Sequence, residues 1–235
     1  LAFKMEFVNP DLFYPLRSSG PEFDGDDTYA LTVYDLGDIH LPSGQVEVCD
    51  PFTAIGQSLV FSCPKGSFPV KVTVADVSLA QDGSELRHAY ASIIFSPGEP
   101  GKFAAVYPES FTKKQCAQIP YLSVAVKGEA VAFVDATAAK MLGAESDLQH
   151  DKPQLSAAVA GWRQLIDDPQ HYHQGLVNTQ LPGVQQQENI CIGFSGWGNG
   201  SYPIIGGYDA DGQLISLHVD LLVVGDYRYE TDDDG

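Results

Sequence analysis

The chain of 235 residues contains no apolar run long enough to cross a membrane, which excludes a helical membrane protein. Its four cysteines, Cys49, Cys63, Cys116 and Cys191, form no C-x-x-C or zinc-ribbon pattern, and four in this length do not make a disulfide scaffold. The default for such spacing is buried free thiols in the cytosol. The start, Leu1 to Pro10, shows neither the charged region nor the long apolar core of a secretory signal, so a cytoplasmic chain is expected.

Basic residues are also scarce: 13 against 31 acids, a net charge of -18. Their distribution says more than the total. No Lys or Arg lies between Arg17 and Lys65, a stretch with eight acids, and none lies between Arg163 and Arg228. Should the two base-free stretches share a face, it would carry a strong negative potential. That balance argues against nucleic acid as a partner and fits a basic protein or a cation.

What is present is a core-forming composition, 44% hydrophobic and 11% aromatic, organised mainly as short β segments. Residues 18–28 read as an acidic, turn-rich loop. Strands are expected at Tyr29–Tyr34, Gly37–Leu41, Gln45–Cys49, Leu59–Cys63, Phe68–Val77 and His88–Phe95. Pro42-Ser43-Gly44 reads as a hairpin turn, and Pro64 to Ser67 as the turn before the next strand. Further along, Pro108–Gln118 reads as a short helix, and Leu122–Val126 and Ala130–Val134 as strands about the turn Lys127-Gly128-Glu129. Ala136–Gly143 and Gln154–Asp168 read as helices. In the second, Leu155, Val159, Trp162 and Ile166 recur on one side, and Pro169 ends it. A Gln-rich connection, 170–188, precedes strands at Asn189–Ser195, Tyr202–Tyr208 and Gln213–Val224, and Asp209 to Gly212 forms a hairpin turn. The expected fold is therefore α+β, mainly antiparallel β, with sandwich-like or strongly twisted sheets. One domain spans 29–225 with a helical insertion about 136–170, between an N-terminal segment (1–28) and an acidic tail (226–235).

Residues 193–212 hold seven glycines in twenty positions, interleaved with Phe194, Trp197, Tyr202 and Tyr208. Such a stretch marks backbone that turns tightly or approaches something closely. The block Ser195-Gly196-Trp197-Gly198, Gly200 and Tyr202-Pro203, together with Pro42-Ser43-Gly44, Asp50-Pro51, Phe133-Val134-Asp135, Gly207, Asp209, Gly212 and Asp220, resembles the bacterial family called domain of unknown function 4241. The resemblance covers roughly 30–225 and implies a bacterial origin and a shared fold, but no reaction. Asn199 stands where the pattern has an acid, and Leu221 where it has an aromatic.

Chemical templates tested on these residues are incomplete. A nucleophile elbow at Ser195 requires glycine where Trp197 stands. Ser110 to Lys113 forms S-x-x-K, without the companion motifs of the penicillin-recognising enzymes. Gly196-Trp-Gly198-Asn-Gly200 lacks both the spacing and the following helix of a phosphate loop. His171 and His173, with Asp167, Asp168 and His150 nearby, are weak metal candidates short of a full ligand set. Asp209, Asp211 and Asp220 suggest a cation site lacking the bidentate Glu of a calcium loop. No cofactor is expected.

The reading that follows is a non-catalytic acidic binding protein, in its most concrete form an immunity-type protein that neutralises a basic toxin or effector. Its contact residues would be Trp197, Tyr202, Tyr208, Asp209, Asp211 and Asp220. The alternatives are a hydrolase or metal-dependent enzyme with its site near the Gly-Trp-Gly loop, and a secreted effector domain.

Overall fold

A computed structural model describes residues 13–23, 27–143, 153–184 and 187–224. Segment 1–12, His150 and the acidic tail at 226–235 lie outside the described residues. The fold is α+β and mainly antiparallel β, as expected. Its strands are β1 (Ser19–Phe23), β2 (Asp27–Leu41), β3 (Gln45–Cys49), β4 (Leu59–Ser62), β5 (Gly66–Asp76), β6 (Leu86–Ile94), β7 (Lys102–Ala105), β8 (Leu122–Val126), β9 (Ala130–Asp135), β10 (Leu176–Gln180), β11 (Asn189–Phe194), β12 (Gly200–Tyr208) and β13 (Leu214–Asp220). Its helices are α1 (Lys113–Gln118), α2 (Ala136–Gly143) and α3 (Pro153–Ile166).

The strands form two antiparallel sheets. The larger runs β1-β2-β5-β6-β13-β12-β7, with β8 also paired to β12, and the smaller runs β10-β11-β9-β3-β4. Period-two alternation sorts the small sheet's residues between two cores. Val46, Val48, Val131, Phe133, Leu176 and Cys191 join the core shared with the large sheet. Their alternates Cys49, Ala132, Val134, Val177, Ile190 and Ile192 pack under Ala138, Ala139, Leu142, Trp162 and Ile166 of α2 and α3. The helical stripe read from the sequence thus seals the small sheet's outer face, with Leu155 and Val159 at its margin.

The Pro42-Ser43-Gly44 turn, expected to close a hairpin, carries the chain between the sheets instead. β2 and β3 are not partners: β2 pairs with β1 and β5, and β3 with β4 and β9. The same holds for β4–β5, β8–β9 and β11–β12, whose members lie in different sheets. Consecutive strands pair antiparallel at β1–β2, β3–β4, β5–β6, β10–β11 and β12–β13, the last closed at 209–212 as expected. A short polar turn between apolar strands signals reversal, but whether the next strand pairs or crosses depends on partners remote in sequence. Three strands escaped the sequence reading. β1 lies within the expected loop at 18–28, β7 is a four-residue edge strand, and β10 lies inside the Gln-rich connection. Each pairs with a neighbour that supplies the order its own residues do not signal.

The large sheet's other face carries a buried polar row. His218 Nδ1 lies 2.8 Å from Ser92 Oγ and its Nε2 2.8 Å from Ser216 Oγ. Phe13 and Phe103 pack edge-on against the imidazole. The strap bearing Phe13 is pinned where the Tyr14 and Leu16 amides donate to Tyr90 Oη and Thr73 Oγ1. Burial holds His218 down at about 3, so it stays neutral.

Candidate functional site

Pro42-Ser43-Gly44, Asp50, Asp135 and Ser195 to Gly200 lie at or against corners where the chain crosses between sheets, whereas Gly207, Asp209 and Gly212 belong to the β12–β13 hairpin. Asp135 ends β9 and caps α2: its Oδ1 accepts from the Thr137 and Ala138 amides at 2.9 and 3.1 Å, and its Oδ2 accepts from the Ser43 amide at 2.9 Å. One carboxylate thereby caps a helix and fixes the Pro42-Ser43-Gly44 corner. Asp50, fully buried, accepts from the Phe52 amide and, at 2.8 and 2.7 Å, from those of Lys127 and Gly128 at the β8–β9 corner. A Cβ at Gly128 would stand 2.9 Å from Asp50 Oδ1, so the glycine permits this approach. Glu47, also buried, accepts from the Gly56 amide at 2.7 Å, and its carboxyl is held above its ordinary range, chiefly by burial. Buried acids satisfied by backbone N–H groups are structural latches.

The Gly-Trp-Gly segment is the β11–β12 crossing. Ser195 is 1% exposed, and its hydroxyl donates to the Gly198 carbonyl at 2.7 Å; the Tyr202 hydroxyl donates to the same oxygen at 2.7 Å. Gly196 has φ +63, and a Cβ there would lie 2.7 Å from the Leu221 carbonyl oxygen. Backbone at that spacing leaves no room for a side chain. Ser195 is therefore committed to closing its own turn, and the geometry offers no nucleophile there.

Trp197 points the other way. It is 54% exposed, yet its indole N–H donates to the Leu222 carbonyl at 3.1 Å and the Arg87 guanidinium lies 4.9 Å from its ring centroid. Arg87 in turn pairs with Glu85 at 2.8 Å, and Glu129 packs beside Gly198. The result is a half-exposed indole held in one orientation, with the Glu85-paired Arg87 guanidinium against its ring.

The other expected contact residues do not share this surface. Tyr202 is buried, and Tyr208 is half-buried with its hydroxyl donating to the Ala105 carbonyl. Asp209 accepts from the Asp211 and Gln213 amides in the β12–β13 turn, while Asp220 is buried at the far end of β13, about 20 Å of extended chain away. These three acids cannot hold one cation together. His171 and His173 sit in a turn rather than on a strand: His171 packs edge-on against Tyr172, and His173 lies tilted against Tyr34 with centroids 4.1 Å apart. Among the described residues no group of three His, Cys, Asp or Glu is placed to hold a metal. All four cysteines are unpaired; burial pushes Cys63 up to about 12.

Sequence reasoning missed a second place, the mouth where β2 faces β10 and β11. Here a bulge interrupts the β2–β5 register between Asp35 and Asp38, with Gly37 at φ +77. Asn178 of β10 donates to the Leu36 and Asp38 carbonyls, Asn189 of β11 donates to the Asp38 carbonyl, and the His40 amide donates to Asn189 at 2.8 Å. Outside this clamp opens a cleft of about 360 Å³ lined by Asp38, His40, Ser67, Gln180, Gln187 and Asn189. A cluster of isolated polar residues from three segments leaves no motif, so only the fold reveals it.

No helix among the described residues is long and apolar enough to cross a membrane. A family model described as protein of unknown function (DUF4241) matches residues 39–219. No curated protein and no solved structure matches the chain.

Proposed function

The chain belongs to the DUF4241 family, whose description states no activity, and from that premise we propose that it is a binding module that engages a basic protein through Trp197. The observation that carries the reading is the indole itself: over half exposed, yet fixed by the Leu222 carbonyl and Arg87. A large aromatic already ordered before association loses little conformational freedom on binding, and such residues dominate interface energetics. The net charge of -18 favours a cationic counterpart and speeds encounter with it. An immunity-type role, in which the module covers a basic toxin or effector, is the most concrete form of this proposal. Four free cysteines suit a reducing compartment, so we place the encounter in the cytoplasm.

The test is capture of a basic partner at low salt, followed by calorimetry with the purified pair. Trp197→Ala is expected to weaken binding by about thirtyfold, and raising the salt to weaken it further. Affinity unchanged by Trp197→Ala would overturn the reading.

A further inference from the structure

We propose that the mouth between β2 and β10–β11 is a binding site for a small neutral polyhydroxylated ligand, in chemical class a mono- or disaccharide. The inference stands apart from the Trp197 surface and uses none of its residues.

The lining argues for this class by what it contains. Its six residues present a carboxylate, two glutamine amides, an asparagine amide, a hydroxyl and an imidazole, with no apolar side chain among them. Amides offer a donor and an acceptor side by side, as vicinal hydroxyls do. Some of these groups are already engaged: His40 Nδ1 lies 3.0 Å from Ser67 Oγ, and Asn189 holds the β2 backbone. The side chains of Asp38, Gln180 and Gln187 make no hydrogen bond within the described residues and face the cleft. The clamp of Asn178 and Asn189 holds β2 against β10 and β11 behind this opening, so the strands that carry its lining are fixed before any ligand arrives.

Other ligand classes fit poorly. An anion would meet Asp38 where the two base-free stretches of the chain come together, and the nearby Lys71 already pairs with Asp35 at 3.0 Å. A metal would find one carboxylate and one imidazole, too few for a closed site. Tyr172, 39% exposed, brings its hydroxyl close to the same β2 bulge at Gly37.

Saturation-transfer NMR of the whole chain with maltose, cellobiose and diacetylchitobiose at millimolar concentration tests the site. Transfer to the ring protons of at least one sugar is expected, with amide shifts at Ser67, Gln180 and Asn189. Asp38→Ala and Gln180→Ala, both solvent-exposed positions, should each reduce affinity about tenfold while leaving the remaining amide spectrum in place. Should either variant misfold, the shift map of the unsubstituted chain decides. No transfer from any of the three sugars, shifts confined to the surroundings of Trp197, or affinity undiminished in both folded variants would overturn the proposal.

Discussion

The crossing at 195–200 and the mouth at Asp38–His40 both lie where the two sheets are joined, yet they dispose of polar groups in opposite ways. At the crossing, Ser195, Tyr202 and the indole N–H of Trp197 are spent on carbonyl oxygens of the protein's own turns. At the mouth, two asparagines satisfy the bulged backbone, and the side chains beyond them remain open to solvent. The first region carries the family's most recognisable residues; the second carries none of them except by adjacency. The difference teaches that a signature rich in Gly, Asp and Ser can record the demands of sheet-crossing corners. Available chemistry then sits where no signature pointed.

The comparison breaks most visibly at the latches. Asp135→Ala leaves the Ser43, Thr137 and Ala138 amides without their acceptor, and the expected loss is about 4 kcal/mol in stability by denaturant titration. A loss below about 1 kcal/mol would mean that the corner is held by something else.

Acid should act next, through buried histidines rather than through the mouth. Burial, with His173 as a lesser cause, holds His88 down at about 4, and burial holds His218 at about 3, against an ordinary value of 6.5. Below pH 6.5 the unfolded chain takes up protons that the folded chain refuses, so stability is complete above that pH and declines as pH falls toward those values. From pH 7 to 5 each histidine should contribute a loss of about 2 kcal/mol. His218→Gln, which can still hydrogen-bond Ser92 and Ser216, should shrink the pH dependence by about that amount; an unchanged slope would show that the site opens to water in the native state.

The smallest effect belongs to the mouth. Asp38→Ala, at an exposed side chain with no internal hydrogen bond among the described residues, should change stability by less than about 0.5 kcal/mol. A melting temperature clearly lowered by this substitution would make the mouth as structural as the crossing and erase the contrast.

Much of the molecule was legible beforehand. The strands Gln45–Cys49 and Leu122–Val126 were expected at their observed bounds, and the spacing of Trp162 and Ile166 marked the helix face that covers the small sheet. These are local periodicities, and burial follows them directly. β10 was not legible, because Asn178, Thr179 and Gln180 are polar residues whose strand exists through pairing with β11 and contact with β2. Of the expected contact residues, Trp197 alone presents a largely exposed ring, since aromaticity in a glycine-rich run predicts a close approach and leaves its direction open.

By itself the sequence determined the β-rich class, the bounds of several strands, the two longer helices, the 209–212 turn and the net charge, all of which depend on neighbours in the chain or on composition alone. Only the tertiary structure decided which turns cross between sheets, that Asp50 and Asp135 serve as latches, and that Asp38, Gln180 and Asn189 meet at one opening. Those outcomes depend on hydrogen bonds between residues some 80 to 150 positions apart, such as Ser43 to Asp135 and His40 to Asn189, and nothing local in the chain encodes such a meeting.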